Sequence, residues 1–425
     1  MKPETTPNGS PAGAAVSGWH SNAGHRHWLL AESKKLVDFF KLTVLDPAGG
    51  FFELDNDGRP FNDTKRHLVT TTRMTYNFSL AHLLGHPGAA PLADHGIRSL
   101  RSLHHDAVHG GYYWIAGRGD GTDHSKQAYG HVHVLLAAST AKVAGIAGAE
   151  DLLREVWSLL EKRFRTEPTG LLADEFDEDW AGPSSYRGQN CNMHFVEALM
   201  AAADATEDHV YLERAEKIAT KLIAELTAAN DWRLAEHYNV KWEIDRDFNR
   251  EDPENLFWPY GSIIGHWLEW ARLLLQLREA LGPSGTNAWM LAAAQRLFAL
   301  GIKEGWDTRI GGFLYTVEFD GRPFNRDRYW WTHAEAIGAA SVLARITGDP
   351  LYERWYRTFW DFVDRNFIDH GRGGWYPQLD RRNAPTETPW KGKPDLYHSL
   401  QAYLFPLIPA GKGLAVSLRN CQLDG

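Results

Sequence analysis

"GGFFELDNDGRPFN", residues 49–62, returns almost unchanged as "GGFLYTVEFDGRPFN", residues 311–325. Weaker versions of this segment begin at Gly110, Gly170, Trp232 and Gly373. Successive copies start 61, 60, 62, 79 and 62 residues apart. A period of about 60 residues that recurs along the whole chain is typical of repeated structural units. Apolar and polar residues alternate around an Asp-Gly pair in the strong copies, which predicts short β-hairpins.

Helical patterns fill the chain between these segments. In "VYLERAEKIATKLIAEL", residues 210–226, apolar residues recur at steps of three and four, at Leu212, Ala215, Ile218, Leu222 and Leu226. Other segments, such as "VHVLLAASTAKVAGIAG", residues 132–148, are apolar on nearly every side. Each unit therefore holds one amphipathic outer helix and one inner helix that is buried all round.

Six such units predict an all-α protein, an (α/α)6 barrel of twelve helices with short β-hairpins at one rim. The inner helices would then begin around a central cavity. An open superhelical solenoid is the alternative arrangement of the same units. We expect a disordered N-terminal tail over residues 1–20, a single barrel domain over residues 21–412, and a C-terminal tail over residues 413–425.

The composition indicates a small neutral ligand. The chain has 425 residues and a net charge of −9, which argues against nucleic acid and anionic membranes as partners. It has no apolar run of about 20 residues and no signal-peptide core at its start. Cys191 and Cys421 are its only cysteines, so we expect a reducing, cytoplasmic setting. The 18 Trp, 15 Tyr and 19 Phe residues indicate either a large core or an aromatic pocket for sugars.

Three inner helices begin with a histidine after small or polar residues: His194 in "NCNMHFVEA", His266 in "IIGHWLEWARL" and His398 in "KPDLYHSLQAY". Glu197 and Glu269 follow the first two at i+3, within hydrogen-bonding reach on the same helix face. A carboxylate beside an imidazole fixes its tautomer and raises its basicity, so such a histidine can exchange protons near neutral pH. The alternative is that these are core or surface histidines, and that Glu197 only anchors the backbone.

Further polar and aromatic residues lie near the same helix starts. Arg73 could hold a substrate oxygen or form a structural ion pair. Asn190 and Asn192 could cap their helix or orient sugar hydroxyls. Trp331 and Trp390 are candidates for stacking on a sugar, and core packing is the alternative for Trp331.

The sequence also offers residues for two other chemistries. His-x-x-Glu pairs can build carboxylate-bridged metal sites, but the chain has no HExxH and no clear set of additional carboxylates. We therefore predict no metal and no cofactor. The acidic run "DEFDEDW", residues 174–180, offers Asp177 and Glu178 as the carboxylate pair of a glycoside hydrolase, or it is a solvated loop.

The segments "YRGQNCNMHFVEAL", "GHWLEW" and "LYHSL" together resemble the N-acylglucosamine 2-epimerase superfamily. The resemblance runs from about His25 to about Pro409. Within the superfamily, the form of the first segment looks most like the aldose–ketose isomerase branch, which includes mannose and sulfoquinovose isomerases. The resemblance implies a metal-free isomerase that opens a sugar ring, takes the C2 proton, passes through a cis-enediol and returns the proton to C1.

The resemblance also implies roles for individual residues. His398 would be the base that moves the proton, His266 would be its acid/base partner oriented by Glu269, and His194 would assist ring opening. Residues that bind or shape the pocket for the substrate would be Arg73, Asn190, Trp331 and Tyr113.

The substrate is a separate question. A sulfonated sugar would need cations near C6, and "ENLFWPYGS", residues 254–262, supplies no Arg or Lys. This favours a neutral hexose, D-mannose converted to D-fructose, with D-lyxose also accepted. A 2-epimerase of glucose or mannose and a sulfoquinovose isomerase remain alternatives. An (α/α)6 glycoside hydrolase and a non-catalytic sugar-binding protein are alternatives of other classes. The chain could be a monomer or a homodimer.

Overall fold

Helices alternate between an outer and an inner ring along the chain. The computed structural model describes residues 18–19, 22–117 and 120–420. The helices in these residues are α1 (Ala23–Lys41), α2 (Leu68–Leu83), α3 (Ala89–Ser102), α4 (Ala128–Val143), α5 (Ala149–Leu159), α6 (Gln189–Thr206), α7 (Val210–Ala219), α8 (Ile264–Leu281), α9 (Trp289–Gly305), α10 (Trp330–Thr347), α11 (Pro350–Asn366), α12 (Tyr397–Leu404) and α13 (Leu414–Arg419). Two π-helical segments prolong α5 and α7, and a 3₁₀ turn prolongs α12; they span Leu160–Phe164, Thr220–Thr227 and Phe405–Leu407.

The inner ring closes on itself. Helix α2 packs against α4, α4 against α6, α6 against α8, α8 against α10, α10 against α12, and α12 returns to α2. The odd-numbered helices α1 to α11 cover this ring from outside. The predicted (α/α)6 barrel is therefore confirmed, and the open solenoid is wrong because the last inner helix contacts the first.

Burial follows the sequence pattern in both rings. On α7 and its extension, Leu212, Ala215, Ile218 and Leu222 are buried at the predicted spacing, and the other face of the helix is polar. Nearly every residue of α4 is buried, because this helix touches neighbours on both sides and an outer helix behind. A helix in that position has no solvent face, so it carries almost no charge.

Short strands mark the rim where the inner helices begin. They are β1 (Lys65–His67), β2 (Ile115–Gly117), β3 (Lys126–Gln127), β4 (Glu175–Phe176), β5 (Arg187–Gly188), β6 (His237–Tyr238), β7 (Ser262–Ile263), β8 (Thr316–Val317), β9 (Arg328–Tyr329), β10 (Gln378–Leu379) and β11 (Pro385–Thr386). The strands before α2, α4, α6, α8 and α10 each pair antiparallel with the strand after the following outer helix, as β7 does with β8 across α8 and α9, and β11 adds to the edge of β10.

The predicted Asp-Gly turns lie beside these pairs. Bridges between Leu54 and Pro60, and between Val317 and Pro323, close the two strong repeat copies into tight hairpins. Gly58 and Gly321 have φ angles of 77° and 85°, a conformation that a side chain disfavours. The hairpins of the prediction are thus present, and the strand pairs additionally tie each inner helix to its outer partner.

One connection at the rim is longer than its counterparts. Residues 239–261 join β6 to β7, whereas residues 318–327 suffice between β8 and β9. This longer connection accounts for most of the extra length in the 79-residue step of the repeat. Its Phe257 ring lies 5.6 Å from the His67 ring and 5.5 Å from the Trp114 ring, so the connection reaches across the mouth of the barrel.

The ends of the chain differ from the predicted boundaries. The expected C-terminal tail begins with α13, whose Leu414 and Leu418 are buried and which packs against α2, α4 and α6. At the other end Trp19 packs against His25, with ring centroids 4.8 Å apart, so the barrel contacts begin before residue 21. Most of the predicted N-terminal tail, residues 1–17 and 20, and residues 421–425 lie outside the described residues. None of the helices described is both long and apolar enough to span a membrane.

Candidate active site

A cavity that is partly open to solvent lies at the strand-bearing rim of the inner ring, with about 530 Å³ of empty space. It is lined by helix starts and by loop residues: Arg73, Tyr129, Asn190, His194, Leu256, Phe257, Pro259, Ile263, His266, Glu269, Tyr315, Trp330, Trp331, Trp390 and His398. The three predicted histidines are among them, because each stands in the first turns of its inner helix. The empty space of this cavity is within the range of pockets that bind small molecules.

His266 is paired with a carboxylate that the sequence did not predict. Its Nδ1 atom lies 2.8 Å from Oε2 of Glu236, in the loop before β6. Gln189 also donates to this oxygen at 2.8 Å, and Trp270 donates to the other end of the Gln189 amide and so fixes its orientation. The predicted pairing of His266 with Glu269 is wrong: Glu269 is one turn deeper on α8 and faces the barrel interior.

His398 has the same arrangement. Its Nδ1 atom lies 2.9 Å from Oε1 of Glu335 on α10. Burial lowers the pKa of His398, and the neighbouring Glu335 carboxylate opposes that effect. The carboxylate holds the proton on Nδ1 and leaves the Nε2 lone pair available as a base.

His194 faces two carboxylates. Its Nδ1 atom lies 3.4 Å from Oε2 of Glu197, as the i+3 spacing predicts, and 3.7 Å from Oε1 of Glu269. Burial lowers the pKa of His194 to about 4 despite Glu197, so this imidazole is neutral around pH 7. Although burial acts in the opposite direction, the bond from His194 and the charge of Arg272 hold the pKa of Glu197 below its ordinary value.

Glu269 is the unusual carboxylate of the site. Burial, and then repulsion by Glu335, raise its pKa well above the ordinary value. Its Oε2 atom is buried without a hydrogen-bond partner in the described residues, and the side chain lines the cavity. A carboxyl group in this state can hold a proton at neutral pH and donate it.

Arg73 brings a fixed cation to the cavity wall. It donates to the Tyr129 hydroxyl at 2.8 Å, to Asp395 at 3.3 Å and to His133 at 3.4 Å. Its guanidinium carbon lies 4.5 Å from the centre of the Tyr397 ring. These bonds use three of the five guanidinium N–H groups and leave two for a ligand.

Two more cavity residues carry buried polar atoms that lack a partner among the described residues. They are the Oδ1 atom of Asn190, an acceptor, and the Nε1 atom of Trp330, a donor. Buried polar atoms are normally hydrogen-bonded in folded proteins. An acceptor and a donor beside the acidic Glu269 therefore match the hydroxyl groups of a sugar.

Aromatic rings form the rest of the wall. The Trp331 ring lies 5.0 Å from the His266 ring and 5.7 Å from the His398 ring. Trp390 packs edge-on against Trp330 at 5.3 Å. Trp331 is thus positioned between two of the predicted catalytic histidines, on the apolar side of the cavity.

Some sequence candidates lie elsewhere. Tyr113 stacks on His124 at 4.0 Å outside the cavity lining, whereas the neighbouring Trp114 contacts Tyr129 and Phe257, which line the cavity. Asn192 bonds the backbone of Leu172 and Gly188, so its role is structural. The acidic run is also outside: Glu178 pairs with His124 at an exposed position.

The carboxylates could in principle hold a metal ion. His194, Glu197 and Glu269 have ligand atoms within 4.8 Å of one another. However, Tyr397 donates to Glu197, and Arg272 lies 3.4 Å from Glu269. A divalent ion would have to displace these donors. The two carboxylates are therefore better suited to binding Arg272 than to binding a metal ion.

Sequence reasoning missed Glu236, Glu335 and Trp330. Glu236 follows "LA" in its repeat copy as Asp174 does in the preceding one, and this shared acidic position was a usable signal. Glu335 is an isolated acidic residue in an otherwise apolar inner helix, which was a second signal. Nothing in the sequence distinguishes Trp330 as a cavity residue from its neighbour Trp331.

The fold and the cavity define an (α/α)6-barrel protein with histidine–carboxylate pairs at the starts of its inner helices. The profile of the family described as N-acylglucosamine 2-epimerase (GlcNAc 2-epimerase) matches residues 49–402. The chain belongs to this family.

Individual relatives extend the comparison. A D-mannose isomerase from Thermobifida fusca is 44% identical over 403 residues, which cover 94% of this chain and 98% of the relative. A crystal structure of D-mannose isomerase matches with a TM-score of 0.85 and 37% identity, over 92% of this chain and 99% of that one. A cellobiose 2-epimerase from Spirochaeta thermophila matches with a TM-score of 0.79 at 24% identity, over 90% and 95%, which indicates the same fold.

Proposed function

We propose that this protein is a D-mannose isomerase that interconverts D-mannose and D-fructose. The observation that carries the proposal is the set of three histidines whose Nδ1 atoms face carboxylates around one sugar-sized cavity. The near-full-length similarity to D-mannose isomerases supports the same substrate.

The reaction needs the ring to open first. Glu269, whose raised pKa keeps a proton available, and the neutral His194 beside it form the acid/base pair for this step. One group gives a proton to the ring oxygen while the other receives the proton of the O1 hydroxyl. The proton balance of the protein is therefore unchanged when the open-chain aldehyde forms.

The proton then moves between two carbons. His398 takes the C2 proton on Nε2, because Glu335 holds its other nitrogen protonated. His266, held by Glu236 in the same tautomer, exchanges the proton between O1 and O2 of the cis-enediol. His398 returns its proton to C1, which gives the ketose.

Charge develops on the sugar oxygens during this transfer. Arg73 cannot lose its proton, and its two remaining N–H groups stabilise the enediolate oxygens. Asn190 and Trp330 bond the hydroxyls that do not react. The Trp331 face supports the apolar side of the open chain between the two histidines.

Incubation with D-mannose in D2O tests the proposal. We expect D-fructose as the early product, with deuterium at C1 in the fraction that exchanged on His398. Early formation of D-glucose would instead indicate a 2-epimerase. Release of sugar from a glycoside without hydrogen exchange would indicate a hydrolase. His398→Asn serves as the control, since it removes the base, and we expect it to retain the fold.

A further inference from the structure

Arg272 lies directly beneath the cavity, two turns after His266 on α8, and is fully buried. Its Nε atom is 2.8 Å from Oε2 of Glu335. Its terminal nitrogens are 3.4 Å from Oε1 of Glu269 and 3.7 Å from Oε1 of Glu197. One guanidinium therefore faces three carboxylates that come from three different inner helices.

Each of these carboxylates either lines the cavity above or bonds a histidine that lines it. Glu335 bonds His398, and Glu197 bonds His194, while Glu269 is itself part of the cavity lining. The contacts thus form two continuous chains, from Arg272 through Glu335 to His398 and from Arg272 through Glu197 to His194. The planar fork of an arginine can hold several carboxylate oxygens in fixed directions, which a lysine cannot do.

The charge of Arg272 is also needed. Glu197 and Glu335 are both buried, and an ionised carboxylate that is buried without a cation is strongly disfavoured in a low dielectric. Arg272 is prominent among the groups that keep Glu197 and Glu335 ionised against their burial. Ionised Glu335 is what keeps the proton on Nδ1 of His398.

The residues around Arg272 leave a space that matches the shape of its side chain. The guanidinium carbon of Arg272 lies 4.5 Å from the centre of the Phe405 ring. A Cβ atom at Gly338 on α10 would come within 3.0 Å of Cδ of Arg272, so the glycine leaves room for the arginine stem. Gln276 accepts a further hydrogen bond from the guanidinium at 2.9 Å.

We infer that Arg272 is a positioning residue that holds His398, His194 and Glu269 in a single working arrangement without touching the sugar. This role rests on the proposed function, because it assigns Arg272 to the proton-transfer groups of that reaction. It differs from an ordinary buried ion pair because one cation serves three groups at once.

A second cavity makes the inference testable. It is partly open to solvent, has about 640 Å³ of empty space and lies at the opposite end of the barrel, next to α13. Its lining includes Arg272, Glu197 and Gln276 on the side that faces the first cavity, and its walls include Leu136 and Met200. Removing the Arg272 side chain would therefore leave a guanidinium-sized space that solutes can enter without crossing the sugar cavity.

The first experiment is chemical rescue of Arg272→Ala. We expect kcat for D-mannose to fall about 10²-fold, the effect of a misplaced catalytic group. Millimolar guanidinium should restore at least part of kcat and should not raise KM, since it binds at the other end of the barrel. A folded variant that keeps the wild-type kcat, or that guanidinium does not improve, overturns the inference.

Arg214→Ala is the matched control. Arg214 is also buried, and it pairs with Glu161 at 2.8 Å and lies over the Phe195 ring, but on the outer helix α7. Its loss should reduce the melting temperature and leave kcat of the folded protein near wild type, with no response to guanidinium.

Gly338→Ala covers the case in which Arg272→Ala does not fold. It keeps every charge and displaces the arginine stem, and alanine also favours the helix. We expect a lower kcat with an unchanged or higher melting temperature. Gly301→Ala on the outer helix α9, where the added Cβ would lie 3.3 Å from Leu268, should leave kcat unchanged. Equal kcat in the two glycine variants overturns the inference.

Imidazole ¹⁵N NMR separates this inference from the proposed function. The wild-type His398 signal should report one tautomer, with the proton on Nδ1, and Gly338→Ala should give a mixture. An unchanged tautomer in that variant counts against Arg272 as a positioning residue. A wild-type protein that does not convert D-mannose but shows this change would contradict only the substrate assignment.

Discussion

Nδ1 of His266 lies 2.8 Å from Oε2 of Glu236, although the two residues are 30 positions apart in the chain. The contact joins the start of an inner helix to the loop of the preceding repeat unit. It fixes the tautomer of a cavity histidine from outside its own helix.

Glu236→Gln should therefore impair catalysis while leaving the barrel folded. The amide can present an N–H group to Nδ1 and so favour the tautomer in which Nε2 has no lone pair. Losses for such changes range from about 10-fold to about 10⁴-fold, and we expect kcat to fall by at least 10². Steady-state kinetics with D-mannose measure this. Glu243→Gln, at an exposed position of the same hairpin, is the control and should keep wild-type kcat.

His398→Ala should abolish isomerisation, since no other group is assigned to take the C2 proton. The measurement is D-fructose formation together with the circular dichroism spectrum. His333→Ala is the comparison, because His333 is equally buried but bonds only backbone groups, accepting from Phe313 and donating to Tyr329. It should lower stability and spare the kcat of the folded fraction. Turnover near wild type in His398→Ala would contradict the assigned base.

Trp330→Phe removes the indole N–H group together with part of the ring, and a matched Trp→Phe change elsewhere controls for the smaller ring. If Nε1 donates to a sugar hydroxyl, kcat/KM should fall by about 2- to 12-fold, the value of one hydrogen bond. Trp360→Phe, in the aromatic cluster between α11 and α12, should leave kcat/KM unchanged. An unaltered kcat/KM in Trp330→Phe would show that the ring only packs.

The barrel could be predicted from the sequence because the patterns that determine it are local and recur in every unit. The 60-residue period and the two kinds of helix determine six helix pairs, and the histidines follow from their position at the helix starts. The pairing of His266 was mispredicted because i+3 spacing describes only neighbours on one helix. Glu236 and Glu335 reach the histidines from other elements of the fold, and Arg272 is linked to His398 and His194 only through Glu335 and Glu197. Those contacts exist only once the ring has closed.

Asp174 predicts a pH-dependent stability. Burial raises its pKa to about 7, although it accepts hydrogen bonds from Gly188 N–H and the Cys191 thiol. The pKa of Asp174 in the folded state exceeds that of an aspartate in the unfolded chain, so its protonation favours the folded state. This contribution to stability is fully present in acid and is lost as the pH rises towards 7. The loss approaches about 1.4 kcal/mol per pH unit in that window.

Asp174→Asn does not titrate, so it should gain stability relative to wild type between pH 4.5 and pH 8. Thermal unfolding at the two pH values measures the difference. Asp177→Asn, in the exposed part of the same segment, should show no such change. A pH-independent difference for Asp174→Asn would mean that the buried carboxyl does not titrate in this range.

Activity should also survive EDTA. Arg272 and Tyr397 already contact Glu269 and Glu197, the two carboxylates that could hold a metal ion in the cavity. Activity is compared before and after dialysis against the chelator, with added Mn²⁺ and Co²⁺ as separate arms. A loss that either ion restores would reverse this expectation.

The long connection of residues 239–261 has a consequence for how this barrel can change. The histidines and their carboxylate partners stand on helix starts and short loops, whereas Leu256, Phe257 and Pro259 reach the cavity from this one connection. Chemistry and admission of the sugar are thus encoded in separate stretches of the gene. Exchange of this single surface segment would therefore change which sugars are admitted, while the histidines and their carboxylate partners stay the same.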